Sequence, residues 1–188
     1  MKVEATRLSD VKVVEPRIFK DDRGFFFESY NERILKGLGI PGPFVQDNQS
    51  FSLRDVVRGL HYQIEQPQGK LIRCISGEIF DVAVDLRRQS STFGQWVGET
   101  LTSDNRRMLW IPPGFGHGFM VLSPTAEVLY KATDFYAPQH ERTILWNDRL
   151  IKIDWPHQAQ AILSPKDLAG ATLDQAEVYE QVPVGNLS

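Results

Sequence analysis

The strongest constraint in this sequence is the alternation at Phe80-Asp81-Val82-Ala83-Val84-Asp85-Leu86-Arg87, where a large apolar residue falls at every second position. An extended strand sorts such a pattern, because its successive side chains point to opposite faces. A second strand is expected at 71–75, with Ser76-Gly77 as the turn joining the two. Further strands are expected at 25–30, 44–51, 56–63, 109–111, 118–122, 128–133 and 143–146. Many short strands punctuated by 14 glycines and 11 prolines predict an all-β sandwich or barrel. Helical signals are few. Asn31 is placed to cap a short helix over 32–36 that stops at Gly37. Ser164-Pro165-Lys166-Asp167 reads as a helix start, with serine at the cap, proline first in the helix and an acid three residues after the cap. The tail after Leu168 is polar and is expected to pack on the surface. No repeat or linker divides the chain, so 1–188 is read as one domain with 170–188 as its surface-packed tail.

Composition excludes several classes. A chain that is 41% hydrophobic and 11% aromatic, with net charge −3, is not disordered. Its mildly acidic, mixed charge argues against nucleic acid as a partner. The longest clean apolar run, Phe119-Met120-Val121-Leu122, is far short of the roughly 20 residues a membrane-spanning helix needs. No basic-then-apolar segment opens the sequence. The single cysteine, Cys74, cannot close an internal disulfide, so a cytoplasmic location is expected.

Polar residues on strands carry the functional signal. Asp81 and Asp85 share one face of their strand, which meets either water or the interior of a cavity. In Val57-Arg58-Gly59-Leu60-His61-Tyr62-Gln63, strict alternation puts His61 and Gln63 on one face and Arg58 on the other, unless Gly59 marks a bulge. His61 is the natural general base, because an imidazole titrates near working pH. His117, in Gly116-His117-Gly118, is a second candidate. His140 and His157 lie in polar, Pro-flanked stretches and are expected at the surface. Lys70, Tyr130 and Asp167 complete an acid–base set, although each has a plain structural alternative: a surface lysine, a core tyrosine, a helix-start acid.

Pro112-x-Gly114-x-x-His117 is the core of the second metal motif of cupin barrels. The first such motif expects His-x-His followed closely by Glu. Here that stretch is His61-Tyr62-Gln63, and Pro67 and Gln68 stand where the acid falls, with Glu65 as the nearby acid that could substitute. Two imidazoles are fewer than the usual three protein ligands of a catalytic metal, so no metal is expected and the chemistry is read as metal-free.

These residues together resemble the dTDP-4-dehydrorhamnose 3,5-epimerase family. The resemblance rests on Phe19-x-Asp21-x-Arg23-Gly24-x-Phe26-x-Glu28, Gln46-x-Asn48-x-Ser50, Arg58-Gly59-Leu60-His61-x-Gln63 and Gln68-Gly69-Lys70-Leu71. It continues through Gly77-Glu78-Ile79-Phe80-Asp81-Val82, Pro112-x-Gly114-Phe115-x-His117-Gly118-Phe119 and Tyr130-Lys131. Tyr136, Glu141, Trp146-Asn147-Asp148 and Leu163-Ser164-x-Lys166-Asp167 close it. Each piece is weak alone; their order from about residue 10 to 170 is specific. Gly116 stands where alanine is common in such enzymes.

The resemblance implies a cupin-type jelly roll, a homodimer, and no cofactor. The implied substrate is dTDP-4-dehydro-6-deoxyglucose, inverted at C5 and C3. His61 is implied as the base, held by Asp167, with Tyr130 delivering a proton to the opposite face and Lys70 stabilising charge on the C4 oxygen. His117 and Arg58 are implied near the sugar and pyrophosphate. Arg23, Phe26, Glu28, Gln46, Asn48, Tyr136, Glu141 and Lys166 are implied in nucleotide and sugar binding, with segment 23–28 serving the partner's site. The alternatives are an epimerase of C5 or C3 alone, a ketoisomerase, a metal-dependent cupin and a non-catalytic sugar-binding jelly roll.

Overall fold

A computed structural model describes residues 1–181 and Pro183. Among them, the strands in chain order are β1 (Lys2–Ala5), β2 (Lys12–Glu15), β3 (Ile18–Asp21), β4 (Gly24–Phe27), β5 (Gln46–Leu53), β6 (Val57–Gln63) and β7 (Lys70–Ser76). They continue as β8 (Glu78–Asp85), β9 (Trp96–Thr102), β10 (Met108–Ile111), β11 (Phe115–Val121), β12 (Thr125–Ala132) and β13 (Glu141–Thr143). Two short helices, α1 (Glu32–Gly37) and α2 (Pro165–Leu168), form where the caps at Asn31 and Ser164 predict them. Asn31 Oδ1 accepts from the Ile34 amide and Ser164 Oγ from the Asp167 amide.

The strands build a six-stranded sheet in the order β1-β2-β10-β7-β12-β5 and a five-stranded sheet in the order β13-β6-β11-β8-β9. Pairing between the named strands is antiparallel. The two sheets pack face to face as a jelly roll, the all-β class expected. β3 and β4 pair only with each other, as a separate hairpin.

β8 explains how the layers stack. Ile79 and Ala83 point between the sheets, among Ile72, Cys74, Leu109, Val121 and Val128. Val82, Val84 and Leu86 point outward, yet they too are fully buried. What covers them is the C-terminal segment: Trp146, Ile151, Ile153, Trp155, Leu173, Val178 and Tyr179. A fully buried Val, Leu or Ile contributes about 1.5–3 kcal/mol each, so this second layer is a substantial part of the fold. A third apolar layer lies under α1, where Leu35 and Ile40 pack on Val14, Leu71, Met108 and Trp110.

One expectation needs correcting, and one open alternative is decided. The tail after Leu168 is not a polar surface appendage through Tyr179: Ala171 bridges Ile144, Tyr179 bridges Arg87, and Leu173, Ala176, Val178 and Tyr179 are buried. These apolar residues are irregularly spaced among polar ones, and that hides them from any periodicity test. Residues 182 and 184–188 lie outside the described residues. Nor does the Asp81/Asp85 face meet water. Asp81 turns inward to His117. Asp85 is buried in a cluster with Arg87, Ser90 and Thr92.

Candidate active site

A cavity of about 240 Å³ opens between the two sheets. One wall is the five-stranded sheet, contributing Arg58, His61 and Gln63 from β6, His117 and Phe119 from β11, and Glu141 from β13. The facing wall is the six-stranded sheet, contributing Ser50 from β5, Lys70 from β7 and Tyr130 from β12. Tyr62 of β6, with Gln68 and Tyr136 on the connections beside the strands, completes the lining.

A bulge puts Arg58 and His61 on the same side. His117 pairs with His61 and Phe119 with Arg58, so two steps along β11 match three along β6. The extra residue cancels the alternation that would part the two side chains. Gly59 makes this fit: its φ is +113°, and a Cβ there would stand 2.5 Å from the His117 carbonyl oxygen and from Gly118 Cα.

His61 Nε2 lies 2.6 Å from Asp167 Oδ1. Asp167 comes from the first turn of α2 and is 4% exposed, while the imidazole itself still reaches the cavity. Burial pushes the Asp167 carboxyl up, but hydrogen bonds from His61 and Ser164 outweigh it and hold the group below the ordinary carboxylate range. The residue is therefore a carboxylate at neutral pH, oriented toward the imidazole. That is the arrangement that fixes a tautomer and favours the ring when it gains a proton.

Lys70 lies at the cavity wall, with Nζ 3.5 Å from the His61 carbonyl oxygen. Burial lowers its pKa to about 8. Behind it, His117 Nε2 and Asp81 Oδ1 are 2.7 Å apart, with Asp81 fully buried and His117 buried but for its edge on the cavity. Burial lowers the imidazole and raises the carboxyl. The Tyr130 ring packs edge-on to the His117 ring, centroids 6.3 Å apart. Burial raises the Tyr130 phenol above its ordinary value, so it keeps its proton through the neutral range.

Around the mouth runs a polar rim. The Tyr136 hydroxyl donates to Glu141 Oε2 at 2.7 Å, and Lys166 Nζ meets Glu141 Oε1 at 2.5 Å. Gln46 accepts from the Tyr136 amide and donates to Asn48. Arg58 donates through Nε to Ser52 and through Nη2 to the Phe51 carbonyl, and its side chain lines the cavity. The structure thus brings His61, Asp167, Lys70, Tyr130, His117, Arg58, Tyr136, Glu141 and Lys166 into one neighbourhood, with Gln46 and Asn48 tied to its rim. Arg23 and Phe26 do not join them. They stand on the β3-β4 hairpin, strongly exposed, and line a separate surface depression with Phe19 and Phe25. Glu28 follows the hairpin and accepts from Asn31.

Ser50 and Gln68 line the cavity although no role attaches to them from the sequence. The signal for Ser50 is the alternation of β5, which turns Gln46, Asn48, Ser50 and Ser52 inward and Asp47, Gln49, Phe51 and Leu53 outward. Gln63, standing where a metal-binding cupin has its second histidine, uses its amide structurally. It donates to the Gln66 and Phe135 carbonyls and accepts from the Ala137 amide. Among the described residues, no three His, Cys, Asp or Glu side chains are grouped to hold a metal ion.

The family model for dTDP-4-dehydrorhamnose 3,5-epimerase matches residues 5–175. The enzyme of that name from Pseudomonas aeruginosa is 61% identical over 94% of this chain and 99% of its own. The Salmonella typhimurium one is 55% identical over 96% and 100%. Among solved structures, the dTDP-6-deoxy-D-glucose-3,5-epimerase of Legionella pneumophila, in complex with dTDP-4-keto-L-rhamnose, superposes with a TM-score of 0.90 at 50% identity, covering 94% of each chain. A 3′-monoepimerase from Streptomyces bikiniensis, in complex with dTDP-quinovose, gives 0.84 at 30% identity, covering 90% of this chain and 87% of its own. A match of this length, joined to a jelly roll whose inter-sheet cavity holds the expected acid–base side chains, means that the chain belongs to the dTDP-4-dehydrorhamnose 3,5-epimerase family of isomerases.

Proposed function

We propose that this single jelly-roll domain inverts C5 and C3 of dTDP-4-dehydro-6-deoxy-D-glucose, giving dTDP-4-dehydro-L-rhamnose for dTDP-L-rhamnose biosynthesis, without a cofactor. The observation that carries this reading is the His61–Asp167 pair on one wall of a cavity whose other wall bears Tyr130 and Lys70.

A hydrogen next to a ketone is acidic because the electron pair left behind spreads onto the oxygen. Neutral His61 takes that proton from C5, the C–H pair moves into the ring, and the C4 oxygen becomes an enolate. Lys70, still mostly an ammonium at neutral pH, stabilises that charge in a site sheltered from water. Asp167 faces the imidazolium as it forms. Tyr130 then gives its phenolic proton to the other face of the carbon, and the C4 carbonyl re-forms. The phenolate regains a proton from solvent and His61 releases one, so the protons balance. The same groups serve C3 after the ring is repositioned. Arg58 at the rim suits a phosphate, since a guanidinium binds oxygens in pairs. Holding the nucleotide end orients the sugar for the acid–base groups.

Arg23, Phe26 and Glu28 belong, in this reading, to the site of a second copy in a homodimer. The support is physical. A two-stranded hairpin is marginally stable alone in water, and this one exposes Phe19, Phe25 and Phe26. β5 is an edge strand with Phe51 and Leu53 exposed on its outer face. A reducing, cytoplasmic location fits the one free, buried thiol, Cys74.

The test is conversion of the keto sugar nucleotide by the purified protein. Inversion at both centres supports the reading; inversion at C3 or C5 alone selects a restricted epimerase, and the Streptomyces bikiniensis relative is named as one that acts at the 3′ position alone.

A further inference from the structure

We infer that Ser164, the cap residue of α2, is a positioning residue for the His61–Asp167 pair: its hydroxyl holds the second oxygen of the carboxylate whose first oxygen meets the imidazole. The inference rests on the reading of His61 as the base, and goes beyond it by naming what aims that base's partner.

The local geometry departs from an ordinary helix cap. Ser164 Oγ accepts from the Asp167 amide at 3.2 Å, the expected capping bond. In a capping box, the acid three residues on reaches back to the backbone N–H of the cap residue. Here it does not. Asp167 Oδ2 instead accepts from the Ser164 hydroxyl at 2.6 Å. That leaves Oδ1 to His61 Nε2 at 2.6 Å and to the Gly59 amide at 3.3 Å. One hydroxyl therefore caps the helix and clamps the carboxylate together. Through Gly59, the same carboxylate also touches the bulge that turns His61 into the cavity.

A carboxylate this deeply enclosed needs donors on both oxygens, because an unmet buried charge is costly. The Ser164 bond is one of those that keep Asp167 below its ordinary range. The other titratable and charged groups around His61 are Glu141 on β13, itself paired with Lys166 of α2, His117 on β11, Lys70 on β7, Tyr130 on β12 and Arg58 on β6 itself. None of them is hydrogen-bonded to the Ser164 hydroxyl, whose partner is Asp167. Loss of the hydroxyl leaves Oδ2 unmet and removes one of the bonds that hold the Asp167 carboxyl down, so that carboxyl takes up a proton at higher pH and ceases to support the imidazole there.

The test compares Ser164→Gly with Ser164→Thr in the full-length enzyme, reading kcat, KM and the pH profile of kcat/KM. Glycine is tolerated at helix caps but has no hydroxyl; threonine keeps one. For Ser164→Gly we expect a kcat lower by roughly tenfold, KM within about twofold, and an acid limb moved upward by about half a pH unit or more. Ser164→Thr restores kcat and the acid limb. An acid limb at the native position in Ser164→Gly, or a change confined to KM, overturns the inference. So does a threonine variant that behaves like the glycine one. Solvent exchange that persists undiminished in His61→Ala overturns the underlying assignment of the base instead, and so separates the two failures.

Discussion

His61 and Tyr130 face one cavity from opposite sheets, the imidazole from β6 and the phenol from β12. Inversion at a carbon needs removal of a proton on one face and delivery on the other, and in the proposed mechanism these two groups on opposite walls divide that work. Removing the phenolic hydroxyl separates the two halves. Tyr130→Phe is expected to keep hydrogen exchange at C5 while losing inversion there, read by NMR of the recovered sugar nucleotide in heavy water. Unchanged epimerisation removes Tyr130 from the mechanism.

In the proposed mechanism, Lys70 is expected to set the alkaline limit. Burial lowers its pKa to about 8 from the usual 10.5. Its ammonium is present below that pH and is lost as pH rises through it. Activity is therefore expected to fall through about pH 8 as the enolate loses its counter-charge. Lys70→Met is expected to lower kcat by about 10²–10³-fold, as loss of a transition-state charge donor does, and to abolish that limb in the pH profile. An alkaline limb unchanged in the methionine variant assigns it to another group.

The hairpin proposal has its own test, because each site in the homodimer would draw on both copies. His61→Ala and Arg23→Ala are each expected to be weak alone. Mixed and allowed to exchange subunits, they form heterodimers in which one site combines an intact His61 with an intact Arg23 from the other copy. Activity is expected to rise on mixing. Activity equal to the average of the two separate variants contradicts a hairpin that works across the interface.

Much of this was readable in the residues, for reasons that differ by element. β8 and β7 announce themselves by apolar spacing, and both helix caps by their side chains. β11 is readable only from Gly118 onward, because Pro112, Gly114 and Gly116 look like a loop, whereas the chain is already extended and paired with β8 from Phe115. β1, β2, β3 and β9 carry too little alternation to stand out. The proton-carrying side chains that share the cavity are legible as candidates because chemistry limits which side chains can move protons. The bulge at Gly59 is legible only as a conditional, since alternation alone parts Arg58 from His61. Asp81 against His117 is a contact between strands distant in sequence, which no local pattern encodes.

The C-terminal segment is where burial departs furthest from composition. The Tyr179 hydroxyl donates to the Gln63 carbonyl at the end of β6, and its ring packs against Tyr62. The tail thus backs the strand that carries His61. Tyr179→Ala is expected to destabilise the fold by roughly 3–5 kcal/mol, the usual cost of deleting a buried aromatic ring, measured as a lower urea midpoint. A loss under about 0.5 kcal/mol, typical of surface substitutions, contradicts this role for the tail.

Exchange of solvent hydrogen at the carbons flanking the ketone tests the central claim most directly. The native protein, incubated with the 4-keto sugar nucleotide in heavy water, is expected to place deuterium at C5 and C3, while His61→Ala leaves protium at both. Label entering at the native rate in His61→Ala, or no label in the native enzyme while product still forms, contradicts proton transfer by this imidazole.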